Sequence, residues 1–289
     1  MTPMIVFVLL LVCFNSTLAV IIGSPQIDAA RTFCEGLGAG PSVTLAKLAS
    51  NRCLVKPDAI AADWVNAVCS DIAGLRRPRL AYPYSRPITQ VIHGPMSTTF
   101  ATNANTQSWL ALYQVNGLAE PDGNWALLHN NGSAMFIPKE AIPWAAIEPV
   151  AVKQNLCADD IWWVGFGGSV DRVQLGITPG DYSFYDIGCP LGAGYEFDWI
   201  CEYELVADVP VAFELIDNNI GLTAALVIEQ MNVENVFVCA SKCSKAYLCG
   251  SFSYNDVTKL CQMYWIHSQH ANFEANKISM PNNVFYDIV

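Results

Sequence analysis

The stretch that decides the fold runs from Trp109 to Glu202. It reads Trp109-Leu110-Ala111-Leu112, Gly123-Asn124-Trp125, Asn131-Gly132-Ser133, Trp144-Ala145-Ala146-Ile147-Glu148-Pro149, Cys157, Cys189 and Trp199-Ile200-Cys201-Glu202. Taken singly, none of these pieces is specific. Together they give an apolar strand, a polar turn, a tryptophan just ahead of a Glu-Pro dipeptide, two inner cysteines and a closing strand that carries a cysteine.

That order and spacing resemble a C-type lectin-like domain. The resemblance implies an α+β fold with two helices, mixed antiparallel sheets and a long loop region. It also implies an inner disulfide, Cys157–Cys189, and an outer one that joins a cysteine of the first helix to Cys201. Upstream, Ile60, Trp64, Val65, Val68 and Ile72 recur at three- and four-residue steps, which predicts a helix from Asp58. Gly74 and Pro78 then end it. Trp64, Cys69, Gly74 and Leu80-Ala81 fit the family pattern, which assigns Cys69 to Cys201 and leaves Cys34–Cys53 as a separate N-terminal staple. Ala30 to Gly38, around Cys34, also resembles the first helix. With Cys34 as the outer cysteine, Cys53 would pair with Cys69.

In this family one calcium ion, which wants about six to eight oxygens, holds vicinal sugar hydroxyls. The ligands come from a Glu-Pro-Asn type motif and a Trp-Asn-Asp type motif. Here the first is Glu148-Pro149-Val150 and the second is Phe184-Tyr185-Asp186. The resemblance therefore carries over Glu148 and Asp186 as calcium ligands, with Pro149 shaping the loop. Val150 and Tyr185 stand where amides would serve both ion and sugar, so a calcium site would be weakened or altered, with Asp159, Asp160, Asp171 and Asp181 at hand to compensate. Trp162 and Trp163 are adjacent, so one of them faces outward from a strand, and Trp163 is a candidate to stack on a ligand. The alternative is that Glu148 and Asp186 are solvated loop acids on a scaffold that binds proteins.

A second cluster follows: Cys239-x-x-x-Cys243, Cys249, Phe252-Ser253-Tyr254-Asn255 and Cys261-Gln262-Met263-Tyr264. Cys239 and Cys243 lie one helical turn apart. The cluster resembles a PAN/apple module, a helix stapled to a sheet, and this implies Cys239–Cys261 and Cys243–Cys249. The further terminal cysteine pair of true apple domains is absent.

The rest bounds the class. In a chain of 289 residues, Met4 to Phe14 is nearly all apolar and Thr17-Leu18-Ala19 suits signal peptidase. Residues 1–19 are therefore expected to be a signal peptide, although the run has no Lys or Arg before it. An uncleaved anchor is the other reading. The expected organisation is then 20–56, a stapled N-terminal segment; 57–206, the lectin-like domain; and 207–289, the PAN/apple-like domain. Eleven cysteines, one of them in the leader, leave an even set that suits a secreted, extracellular chain. A net charge of −11 repels phosphate backbones and excludes nucleic acid as a plausible partner. No further apolar run is long enough for a membrane span. Glycans or extracellular proteins are the expected partners, and calcium the one cofactor to test. Asn131-Gly132-Ser133 is a glycosylation sequon as well as turn chemistry. Gly165, Gly167 and Gly168 read as a glycine-rich turn. His267-Ser268-Gln269-His270 could present two imidazoles to a metal, but two lone histidines are more often surface or core residues. No G-x-S-x-G, H-E-x-x-H or phosphate loop occurs, so no enzyme is expected.

Overall fold

A proline can open a helix because the first N–H has no intrahelical acceptor to lose. Pro25 does so in α1 (Pro25–Gly36), whose buried face is Ala30 and Cys34, four residues apart. A computed structural model describes residues 25–59, 67–96, 107–114, 125–128, 134–142, 162–167, 184–188 and 198–289. Beyond α1 the chain forms a hairpin of β1 (Val43–Ala49) and β2 (Arg52–Pro57). Ser50 turns it with a positive φ of 56°. Cys34 is bonded to Cys53, which fastens α1 onto the hairpin.

The N-terminal segment that the sequence sets apart is thus part of a larger sheet. β3 (Leu75–Leu80) and β10 (Cys201–Leu205) complete it in the order β1-β2-β10-β3. Residues 67–72 are not helical, so the helix expected from Asp58 does not extend through them, and 60–66 lie outside the described residues. Cys69 is nonetheless bonded to Cys201, and Cys34 does not take that place. Cys157 and Cys189 lie outside the described residues.

A second sheet is built from β4 (Gln107–Gln114), β5 (Trp125–Leu128), β6 (Ala134–Phe136), β7 (Trp162–Gly167), β8 (Phe184–Gly188) and β9 (Asp198–Trp199). Its order is β6-β5-β4-β7-β8, with β9 parallel to β4. Gly165 and Gly167 sit inside β7, so they are strand residues and not a turn. Trp125 and Trp199 are buried, filling the core as large aromatics do. Against β1 and β2 lies α2 (Arg86–Val91), with Pro87 in its first turn, continuing into a π turn at Ile92–Met96.

The C-terminal part has five antiparallel strands: β11 (Phe213–Leu222), β12 (Val227–Asn232), β13 (Ser251–Asn255), β14 (Leu260–Tyr264) and β15 (Lys277–Ile288). Their order is β11-β15-β13-β14-β12. α3 (Val236–Lys245) covers this sheet, and a short α4 (Phe273–Asn276) precedes β15. The side chain of Asn235 accepts from the N–H groups of Phe237 and Val238, and Lys242 and Lys245 stand in the last turn, so both ends of α3 suit the helix dipole. Cys239 and Cys243 share its buried face and are bonded to Cys261 and Cys249.

The main core crosses from one part to the other. Leu54, Tyr82, Tyr84 and Ile88 pack in one cluster with Leu248, Tyr264, Ile266 and Phe285. Cys69–Cys201 closes the longest loop of the described disulfides, 132 residues of sequence separation. Cross-linking so long a loop restricts the unfolded chain by about 5 kcal/mol. Replacing both cysteines by alanine should lower the unfolding free energy by about that amount in urea titrations, more than removing Cys243–Cys249, which spans 6 residues.

Candidate functional site

Of the residues proposed from sequence, Asp186 lies on β8 opposite Val164, and Trp163 lies on β7 between Tyr113 of β4 and Ile187 of β8. The backbone therefore brings Asp186 and Trp163 onto neighbouring strands at one edge of the second sheet, offset by one residue in register. Glu148, Pro149 and Asn131 lie outside the described residues, as does Val150. Tyr185 stands beside Asp186 on β8, opposite Gly165.

The polar side chains that the fold gathers most closely lie elsewhere, along the seam between the N-terminal and C-terminal parts. β10 delivers Glu202, fully buried, between β2 and β3, which bring Arg52 and Arg79. Glu202 Oε1 accepts from Arg79 Nη2 at 2.6 Å and from the Tyr84 hydroxyl at 3.1 Å, and lies 3.4 Å from Arg52 Nε. Oε2 is buried with no hydrogen-bond partner among the described residues. Glu204 balances the second positive charge, 3.3 Å from Arg52 and 3.7 Å from Arg79. Buried charges demand such matching, because an unpaired one loses hydration without return.

The C-terminal part closes this cluster. Arg79 lies over the Tyr247 ring, 3.6 Å from its centroid, and Tyr247 meets Tyr84 edge-on at 5.7 Å. A guanidinium over an aromatic face is a cation–π contact, strongest when desolvated. Burial works against the Arg79 charge, yet Glu202 first, with Tyr247 and Tyr84, holds its pKa above the ordinary value. Burial, with Glu202 adding to it, pushes the Tyr84 hydroxyl up to about 12, so it stays protonated and donates.

A second row of contacts continues the seam. Arg86 pairs with Glu214. Thr89 Oγ1 meets His267 Nε2 at 3.1 Å, and His270 Nε2 meets the Ala141 carbonyl at 3.0 Å. That carbonyl also accepts from Tyr82 at 2.9 Å. Asn272 donates to the carbonyls of Glu140 and Ile142, and Asn51 to that of Ser244. Asp287 accepts from both the N–H and the hydroxyl of Ser268, and burial pushes its carboxyl up to about 6. At Gly250 the chains cross so closely that a Cβ would stand 2.1 Å from the Tyr84 carbonyl oxygen.

In the sequence Glu202 stands out only as the end of the closing strand motif, and no motif marks Arg52, Arg79, Tyr84 or Tyr247 as its partners. The available signal was the placing of opposite charges inside short strands that are otherwise largely apolar. His267 and His270 were singled out, and the structure gives each a hydrogen-bonded place against the N-terminal part.

Comparison with known proteins agrees with the C-terminal assignment: residues 209–286 match the PAN domain family. No curated protein and no solved structure matches the chain. Within the matched residues the antiparallel sheet, α3 and two disulfides form a small PAN-like module, of a family whose members suggest interaction with proteins or carbohydrates.

Two substitutions test the seam. Glu202→Gln leaves two buried guanidiniums short of a charge and should destabilise the chain by about 3 kcal/mol. Gly250→Ala should cost about 1–3 kcal/mol because its neighbour is backbone and cannot rotate away. Both are read by chemical denaturation, and a loss below about 0.5 kcal/mol for either would contradict the tightness described here.

Proposed function

We propose that this chain is a secreted, non-enzymatic recognition protein. In this reading a C-type lectin-like scaffold and a PAN-like module are held as one body, and carbohydrate is bound on the loop side of the scaffold. The observation that carries the reading is the PAN match over 209–286, joined by the seam to a sheet in which Cys69–Cys201 ties the closing strand to the segment ahead of β3. An even set of mature cysteines and the apolar leader support the extracellular assignment.

Calcium enters only through Glu148 and Asp186. Two carboxylates fall short of the shell a calcium ion requires. Asp159, Asp160, Asp171 or Asp181 would have to contribute, and sugar would be held with fewer amide contacts than in lectins that keep both motifs. Val150 and Tyr185 favour a second reading, in which the scaffold binds extracellular protein and not sugar.

A glycan array probed with the purified mature chain, in calcium and in chelator, separates these. The sugar reading expects glycan signals that fall in Asp186→Ala, and chelator sensitivity would bring calcium into the site. Signals that survive both chelator and Asp186→Ala would place the sugar elsewhere. A blank array in both buffers would overturn the sugar reading and leave the protein-binding one.

A further inference from the structure

His267 and His270 are spaced three apart, and each is built into the same small device. The N–H of Gln269 donates to His267 Nδ1 at 3.2 Å, and the N–H of Asn272 donates to His270 Nδ1 at 3.1 Å. Each Nδ1 is therefore an unprotonated acceptor, and the proton of each ring sits on Nε2. From there His270 donates to the Ala141 carbonyl. His267 donates to Thr89 Oγ1, whose own proton goes to the Pro83 carbonyl. Both acceptors belong to the N-terminal part. Each neutral imidazole thus spans the seam, held by its own turn on one nitrogen and by the opposite part on the other.

We infer that the contact between the PAN-like module and the N-terminal part is loosened by acid, through protonation of His270 and His267. A second proton can go only to Nδ1, where it would face an N–H and break the bond that orients the ring. His267 is 1% exposed, so the charge would also lack water. Burial already holds the His270 pKa down to about 4. Once the seam opens, the imidazole regains its ordinary value of about 6.5. Protonation therefore favours the open arrangement as pH falls below that value.

The charged groups around the pair are Asp287, which holds Ser268 between the two histidines, the Arg86–Glu214 pair facing Asp287, and Lys139 and Glu140, chain neighbours of Ala141. Glu274 and Lys277 follow on α4 and β15. Asp287 takes its hydrogen bonds from Ser268 of its own module, but Arg86 of α2 acts on it from the N-terminal part, so its titration bears on the seam as well as on the module. The sign of its effect is opposite. With a raised pKa it stabilises the fold as pH drops through about 6, whereas the depressed His270 withdraws stability as pH drops from about 6.5 towards 4. Global melting would largely cancel the two, and local exchange in Asp287→Asn, which removes the opposing effect, separates them.

Hydrogen–deuterium exchange of the intact, oxidised chain, corrected for intrinsic rates, tests this at pH 7.5 and 4.5. Shared loss of protection is expected in segments 81–92 and 264–274, on the order of 50-fold from His270 alone, while β11 and α3 keep theirs. His270→Gln, which can still donate to the Ala141 carbonyl, should lose most of the response. Asp287→Asn should retain it. Protection unchanged down to pH 4.5, a midpoint above pH 6.5 in the wild-type profile, or abolition of the response by Asp287→Asn would each overturn the assignment. The wild-type profile alone decides the matter if a variant fails to fold.

Discussion

Glu202 cannot be buried unless Arg52 and Arg79 reach it together. That requirement fixes more of the molecule than any apolar contact does. β10 must lie between β2 and β3, with Glu202 opposite Leu54 on one side and Arg79 on the other. Side chains alternate along a strand, so a slip of one residue would turn the carboxylate to the other face and leave the guanidiniums unpaired. The same strand carries Cys201, whose bond to Cys69 pins the register covalently. Charge matching and cross-linking therefore specify one arrangement from two directions.

The cluster also explains why the chain does not fall into two loosely tethered halves. Arg79 belongs to the N-terminal part, yet the ring beneath it is Tyr247 of the PAN-like module. An apolar core runs through the same boundary, and the backbone of Gly250 lies against that of Tyr84. Inter-domain interfaces that are small and polar permit relative motion. This one is apolar in its centre with hydrogen-bonded charge around it, so the orientation of the module is part of the fold.

The sequence was most readable where local chemistry and covalent constraint agree. The spacing of Cys239 and Cys243, followed by aromatic strands, announces α3 and its sheet. The closing strand around Cys201 announces the sheet it completes. β1 and β2 are hard to read because Gly36, Gly38, Gly40 and Pro41 interrupt the stretch before them, and because β2 is buried almost throughout and shows no alternation. The apolar spacing around Trp64 suggested a helix that does not extend through residues 67–72, where the Cys69 bond and the contacts of Ala67 hold another path. The seam was least readable. Arg52, Arg79, Tyr84 and Tyr247 are far apart in sequence and acquire meaning only when three strands and two loops converge. Of the residues put forward for ligand binding, Asp186 and Trp163 come to adjacent strands, and Glu148 and Pro149 lie outside the described residues.

The pairing of Leu80 with Cys201 has one more consequence. The chain leaves the first sheet after β3 and returns at β10, so everything between is an excursion whose two ends are clamped side by side. Lengthening such a closed excursion raises its entropic penalty only slowly, by about 0.6 kcal/mol per doubling. The fold can thus accept changes of length within that excursion outside residues 81–96 and 134–142, the stretches against which the module docks.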